Sequence, residues 1–228
     1  MADFYIKKRK FLSFLLFLLC WIFSCVSFTA CQQKIDYYDY VSELRSNILL
    51  AEDGDFSLRV HALIKESPYA MDGIPKSPLP RMEAYLVAPN GTNPCHLSFS
   101  YEEKNYSGEM SYDNVKGEYF FSHSLDVSEA KELLFEVQCG EEIITLRALS
   151  VKTENLISPR KALSILEESE KELFLSLTDK YGFSAEIYLR LIYEGSPYYY
   201  VGIIERNGNV HAFLIHAQTG KILAKRRP

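Results

Sequence analysis

A strict alternation of apolar and polar residues over residues 56–65 restricts the fold of this chain more than any other feature. Every second position is apolar, at Phe56, Leu58, Val60, Ala62 and Ile64. Because successive side chains of a strand point to opposite faces, the pattern predicts a half-buried β-strand. Residues 44–51 form another apolar stretch, and Asp53-Gly54 between the two suits a tight turn, since glycine tolerates positive φ. The two stretches therefore predict a β-hairpin.

Short strand-like segments continue along the first two thirds of the chain. Four prolines between residues 67 and 80 predict a loop there, because proline cannot donate to a strand ladder. Beyond this loop, strand candidates follow at residues 82–88, 95–101, 108–112, 118–124, 133–139 and 143–151. Short, closely spaced strands with intervening turn residues indicate an antiparallel, Ig-like β-sandwich. We place this domain at residues 42–153.

The last seventy residues have a different pattern. Ser158 and Pro159 are a good N-cap and first helical residue, and apolar residues then recur at helical spacing as far as Tyr181. Alternating strands follow at 185–193, 198–206, 210–217 and 221–225, with Asn207-Gly208 as a tight turn. Residues 158–228 therefore predict a helix followed by an antiparallel β-meander. The chain is expected to be mainly β, and α+β overall, with the sandwich first and this module second.

The N-terminus has the three parts of an export signal. Four basic residues at positions 7–10 precede a nearly unbroken apolar run at 11–28, and Thr29-Ala30 are small residues just before Cys31. The basic residues stay on the cytoplasmic side while the apolar run enters the bilayer. Residues 1–30 are therefore predicted to be a signal peptide, and residues 31–41 a tether.

Phe28-Thr29-Ala30-Cys31 resembles the lipobox of bacterial lipoproteins. The resemblance implies cleavage before Cys31, a diacylglyceryl group on its thiol, and attachment to the extracytoplasmic face of the cell membrane. Two other interpretations remain open. Residues 11–30 are long enough to stay as an uncleaved membrane-spanning helix, or the mature protein is secreted without an anchor.

Two cysteines remain if Cys20 and Cys25 leave with the signal and Cys31 is acylated. They are Cys95 and Cys139, both in strand-like segments. An even pair in an exported protein is a candidate disulfide. Two reduced cysteines that pack as small apolar side chains are the alternative, and the spacing does not decide between the two.

The charge distribution argues against nucleic acid as a partner. The chain has 25 basic and 30 acidic residues, and four of the basic residues but only one acidic residue lie in residues 1–30. The exported part is therefore strongly acidic and repels phosphate backbones. The chain also lacks the phosphate-loop, HExxH, paired CxxC and GxSxG motifs. The sequence thus predicts no catalytic residue, no cofactor and no metal ligand; His211 and His216 fall on opposite faces of one strand.

The segment from Val210 to Leu223 and the preceding helix resemble a PepSY unit, a small module of peptidase propeptides and cell-envelope proteins. The resemblance implies a non-catalytic role in binding or regulating an envelope protein, such as a protease or a wall protein. Candidate contact surfaces are the proline-rich loop around Tyr69 and Met71 and the aromatic residues 198–200. An extracytoplasmic hydrolase with an unrecognised carboxylate site is the alternative function.

Overall fold

A computed structural model describes residues 35–66, 76–89 and 94–228, and Asp36–Pro228 form one compact unit. A 3-10 turn, Tyr37–Tyr40, precedes the first strand. The strands are β1 (Val41–Asp53), β2 (Phe56–Lys65), β3 (Leu79–Val87), β4 (Cys95–Tyr101), β5 (Lys104–Asp113), β6 (Glu118–His123), β7 (Glu132–Cys139), β8 (Glu142–Ser150), β9 (Thr178–Asp179), β10 (Gly182–Phe183), β11 (Ala185–Tyr193), β12 (Pro197–Glu205), β13 (Val210–His216) and β14 (Ile222–Arg226). The helices are α1 (Pro159–Ser169) and α2 (Lys171–Ser176).

The first eight strands close into an antiparallel barrel with the order β1-β2-β3-β6-β5-β4-β7-β8. Closure comes from β1 pairing with β8, where Leu49 lies opposite Ser150 and Leu50 opposite Leu149. Side chains from all eight strands fill the interior, including Leu58, Met82, Leu97, Tyr119, Phe135 and Leu146. The Ig-like sandwich prediction is therefore wrong, because a sandwich needs two separate sheets and these strands belong to one sheet that closes on itself.

The closure depends on an irregularity in β1. The register of β1 against β2 shifts between Arg45 and Asn47, which is the signature of a bulge that bends the strand. Before the shift, residues 41–45 of β1 pair with β11; after it, residues 49 and 50 pair with β8. One edge of β1 thus serves two neighbours in succession.

The C-terminal strands extend the same sheet in the order β14-β13-β12-β11-β1. The antiparallel meander exists, but its first strand pairs in parallel with β1. The prediction of a sandwich followed by a separate helix and meander is corrected here too, since β1 belongs to the barrel and to the extension. The segment between Ser150 and Pro159 joins β8 to α1 at the predicted domain boundary; the division into domains stays a prediction.

Local sequence signals agree with several elements. The hairpin of β1 and β2 is confirmed, with Gly54 at φ 55° in its turn. Ser158 caps α1 by accepting a hydrogen bond from the Lys161 amide, and Pro159 begins the helix. A single helix as far as Tyr181 is wrong, because α1 ends at Ser169 and Glu170 caps it. The buried residues Ala162, Leu163, Leu166 and Phe174 form the apolar side of the two helices, and α1 contacts β12.

A disulfide joins Cys95 to Cys139, which lie opposite each other on the neighbouring strands β4 and β7. Both residues are buried in the barrel core.

No helix within residues 35–66, 76–89 and 94–228 has the length and apolar character needed to cross a membrane. The predicted signal peptide, Cys31 and the loop residues Tyr69 and Met71 lie outside the described residues.

Candidate functional site: a cationic and aromatic groove

The outer face of the barrel carries a groove beside the point where β11 joins β1. It exists because the core residues of β2 and β3 alternate with outward-facing ones, so that Arg59, His61 and Tyr85 project away from the core. We call this cavity of about 370 Å³ the junction groove. Its lining residues are Arg45, Ile48, Leu50, Arg59, His61, Tyr85, Lys116, Glu118, Ile192, Tyr193 and Glu194.

A second cavity of about 380 Å³ continues the junction groove across β3 and β6. The two cavities share Tyr85, Lys116 and Glu118. The second is lined in addition by Lys65, Glu83, Ser111, Tyr112, Asp113 and Phe120. The shared residues make the two cavities neighbouring parts of one depression.

Tyr85 lies at the point where the two cavities meet, and its ring is held on several sides. Its ring centroid lies 5.1 Å from that of His61 and 5.2 Å from that of Phe120. The Arg59 guanidinium carbon lies 5.3 Å from the same centroid, within the range of a cation–π contact. The hydroxyl donates to Oε2 of Glu83 at 2.8 Å, and burial followed by this hydrogen bond raises the pKa of Tyr85. The phenol therefore stays protonated and fixed in orientation.

Glu118 neutralises part of the positive charge in the groove. Its Oε2 lies 3.5 Å from Nη2 of Arg59, and its Oε1 lies 3.9 Å from Nζ of Lys116. Both contacts are long, and the side chains of Arg59 and Lys116 are 49% and 61% exposed. Lys116 also lies 3.8 Å from Oδ2 of Asp113. Exposed ion pairs of this kind contribute little stability, so a ligand can compete for both cations.

Arg190 is the cation of the groove neighbourhood that is firmly paired. Its Nε donates to Oε1 of Glu43 at 2.7 Å, and its second donor reaches Oε2 at 2.8 Å. This two-pronged geometry is the strong form of an arginine–carboxylate pair. The pair links β11 to β1 and so fixes the extension against the barrel strand at the end of the groove.

Arg45 is different, because its charge lacks such a partner. Its Nε is buried and has no hydrogen-bond acceptor among the described residues. Burial lowers the pKa of Arg45; Glu43 offsets this in part, whereas Arg190 and Arg59 lower it further. Even so, arginine keeps its proton at physiological pH. The groove therefore contains a cation that is partly removed from water without full compensation.

His61 faces the same cations and is neutral. Burial, together with the charges of Arg45, Arg59 and Arg190, lowers the pKa of His61 to about 2. Its Nδ1 is buried and has no hydrogen-bond partner among the described residues. The groove lining therefore includes a neutral imidazole whose buried nitrogen has no partner among the described residues.

The comparisons with known proteins add no family. No protein-family model, no curated protein and no solved structure matches this chain significantly. The PepSY-like resemblance of the C-terminal region stays a prediction.

The aromatic residues of β12 do not form one surface. Tyr199 is buried on the helix side, and its hydroxyl donates to the Ile157 carbonyl at 2.8 Å. Tyr198 and Tyr200 are half-buried and point to the opposite face. Core packing therefore explains Tyr199, and only its two neighbours are available as contact residues.

His211 and His216 each have a hydrogen-bond partner at one ring nitrogen, although the buried Nδ1 of His211, like that of His61, has none among the described residues. Nε2 of His211 lies 2.7 Å from Oε1 of Glu205. Nδ1 of His216 accepts hydrogen bonds from the amides of Gln218 and Thr219. Within the described parts of the chain, no group of three histidine, cysteine or acidic side chains is arranged to hold a metal ion.

The hydrolase hypothesis required a cleft with acidic groups of displaced pKa. Glu132 and Glu170 are carboxyls with a displaced pKa. Both values are lowered, by Arg147 for Glu132 and by Lys225 and Arg227 for Glu170, and neither residue lines the groove. A general acid needs a raised pKa, so these two groups give the hydrolase no support.

Proposed function

We propose that the protein is an extracytoplasmic, membrane-anchored binding protein without catalytic activity, and that the junction groove contacts its partner, a protein of the cell envelope. The export signal and the lipobox-like segment ending at Cys31 supply the location. A lipid-bearing cysteine with more than one acyl chain gives lasting attachment.

The observation that carries the proposal is the composition of the groove. Arginine and tyrosine are the residue types enriched where proteins bind one another, because both combine a large contact area with fixed polar groups. Arg45, Arg59 and Tyr85 combine these properties on rigid strands rather than on loops. Rigid placement lowers the entropy that is lost on binding.

Affinity capture with a charge-reversed groove tests the proposal. The full chain in detergent is used as bait against solubilised envelope, and the bound proteins are compared for wild type, Arg59→Glu and Arg147→Glu. Arg147 is the matched control because it is also an exposed arginine with a single glutamate partner, on β8, at 65% exposure. We expect Arg59→Glu to lose the wild-type partner and Arg147→Glu to keep it. Equal recovery by both variants would contradict a role for the groove.

The anchor is tested separately by metabolic labelling with a fatty acid. Wild type is expected to incorporate the label and to remain with the membrane, and Cys31→Ala is expected to lose both properties. If Cys31→Ala stays labelled, the thiol of Cys31 is not the attachment point. If it stays membrane-bound without label, residues 11–30 act as an uncleaved helix.

A further inference from the structure

We propose that the junction groove recognises a carboxylate, carried by an acidic side chain on an extended segment of the partner protein, and that Arg45 is its principal contact. The inference rests on the proposed binding function and adds the chemistry of the ligand. Three observations lead to it: the unsatisfied donor of Arg45, the charge balance of the groove, and the shape of the two joined cavities.

The donor of Arg45 is the first observation. A buried polar group without a partner costs about 1–3 kcal/mol, and more when it is charged. Nε of Arg45 has no acceptor among the described residues, although the side chain lines the cavity. An incoming carboxylate would accept from the guanidinium in the planar two-pronged arrangement that carboxylates favour. Binding would thus remove a cost that the free protein carries.

The charge balance selects a monoanion. The junction groove is lined by three cations, Arg45, Arg59 and Lys116, and by two carboxylates, Glu118 and Glu194. Arg59 and Lys116 are both paired with Glu118, and Lys116 also lies 3.8 Å from Oδ2 of Asp113 in the second cavity. His61 is neutral at physiological pH because its pKa lies at about 2. Arg45 is thus the lining cation that has no ion pair among the described residues, and one unpaired cation matches one carboxylate. A phosphate monoester, with a charge close to −2, would leave the site with uncompensated negative charge.

The shape favours a peptide over a free small anion. From Tyr85, the second cavity runs on past Tyr112 and Phe120, so that residues next to the bound carboxylate would meet aromatic rings. Lys65 and Glu83 are already paired at 2.8 Å and add no free charge there. The ligand that fits is an acidic residue, which would contact Arg45, flanked by apolar or aromatic residues, which would contact Tyr112 and Phe120.

Direct binding of a matched pair of peptides tests the proposal. The full chain, labelled with ¹⁵N in detergent micelles, is titrated with acetyl-Phe-Glu-Phe-amide and with acetyl-Phe-Gln-Phe-amide, and the Nε–H signal of Arg45 is followed. We expect saturable displacement of this signal by the glutamate peptide and at least tenfold weaker binding of the glutamine peptide. Arg45→Gln should abolish binding of the glutamate peptide, and Arg147→Gln should leave it unchanged.

Lys116→Glu is a second variant, which keeps the test valid if Arg45→Gln does not fold. The Lys116 side chain is exposed, so its replacement leaves the core intact. It should weaken the glutamate peptide at least fivefold. Equal affinity of the two peptides would overturn the carboxylate assignment. Tighter binding of inorganic phosphate or of a galacturonate oligomer at the same ionic strength would overturn the acidic peptide as ligand. Either failure leaves the capture result with Arg59→Glu standing on its own, so the two proposals are separable.

Discussion

Asn47 is the residue on which closure of the barrel depends most directly. Its side chain is fully buried, donates to the Ala130 carbonyl at 2.9 Å, and accepts from the Ile48 amide and from Oγ of Ser150. These bonds join β1 to β8 and to the segment before β7. They lie beside the register shift at which β1 changes neighbours.

We expect Asn47→Ala to lower the free energy of unfolding by about 2–3 kcal/mol, because several buried polar groups lose their partner. The measurement is urea denaturation followed by circular dichroism. Asn105→Ala, which removes an exposed amide that accepts a hydrogen bond from Oγ of Ser100, is the control and should cost less than about 0.5 kcal/mol. Similar losses in the two variants would show that Asn47 has no special part in closure.

His61 predicts a pH dependence of stability. In the unfolded chain its pKa is near 6.5, whereas in the folded protein it is about 2. Between these values the unfolded state binds a proton that the folded state does not, so the free energy of unfolding falls as the pH falls, by up to about 1.4 kcal/mol per pH unit.

Denaturation of wild type and His61→Gln between pH 7 and pH 4 measures this contribution. The variant should lose less stability than wild type over that range, because glutamine does not titrate. His96→Gln, which replaces an exposed histidine of β4, should follow the wild-type curve much more closely. If the free energies of unfolding of wild type and His61→Gln depend on pH in the same way, His61 is not buried away from protons as the structure shows.

Among the elements, the C-terminal strand is held by a buried carboxylate between the two helices. Glu170 caps α1, is 5% exposed, and bonds Nζ of Lys225 and, at 3.0 Å, Nη2 of Arg227. Burial by itself would raise the pKa of Glu170, but the hydrogen bonds from the two basic residues outweigh it and lower the pKa. Ionised Glu170 therefore stabilises the fold at pH values above the ordinary pKa of glutamate. This stabilisation is lost as the pH falls through the lowered pKa of Glu170.

Hydrogen exchange of the β14 amides tests this contact. Glu170→Gln should speed exchange of residues 222–226 by about tenfold, equivalent to ~1.4 kcal/mol of local opening. Glu168→Gln, which changes an exposed glutamate of the same helix, should leave exchange as in wild type. If both variants exchange at the wild-type rate, Glu170 does not hold the strand.

The elements also show where sequence reasoning succeeds and where it ends. The hairpin of β1 and β2 and the start of α1 depend on neighbouring residues, and their patterns were sufficient to predict them. Strand partners are not local. Leu49 meets Ser150, and Leu44 meets Leu189, only because β1 bends at a bulge that no alternation reveals. The barrel was therefore missed although most of its strands were predicted.

The candidate site was missed for the same reason. Arg59 and His61 could be placed on the outward face of β2 from the alternation alone. Arg45, Tyr85 and Lys116 come from other segments, and only the strand order β1-β2-β3-β6 brings them together. The one available signal was that β2 carries Arg59 and His61 on its outer face.

At the scale of the whole molecule, the disulfide constrains the unfolded chain. Cys95 and Cys139 are 44 residues apart, and closing a loop of that length stabilises a protein by roughly 4 kcal/mol on an entropy argument. We expect the double variant Cys95→Ala and Cys139→Ala to lose about 2–4 kcal/mol of unfolding free energy, measured in urea. Reductant should destabilise wild type but not the variant. Equal stability with and without reductant would contradict a bridge that matters to the fold.

Photo-crosslinking on intact cells tests most directly whether this exported protein meets its partner at the junction groove. Benzoylphenylalanine replaces Tyr193, an exposed aromatic residue of the groove lining, or Arg147 on β8. We expect one discrete adduct from position 193, weakened by Arg45→Gln, and none from position 147. An adduct from position 147 alone, or adducts from position 193 that persist unchanged in Arg45→Gln, would contradict a partner bound at the junction groove.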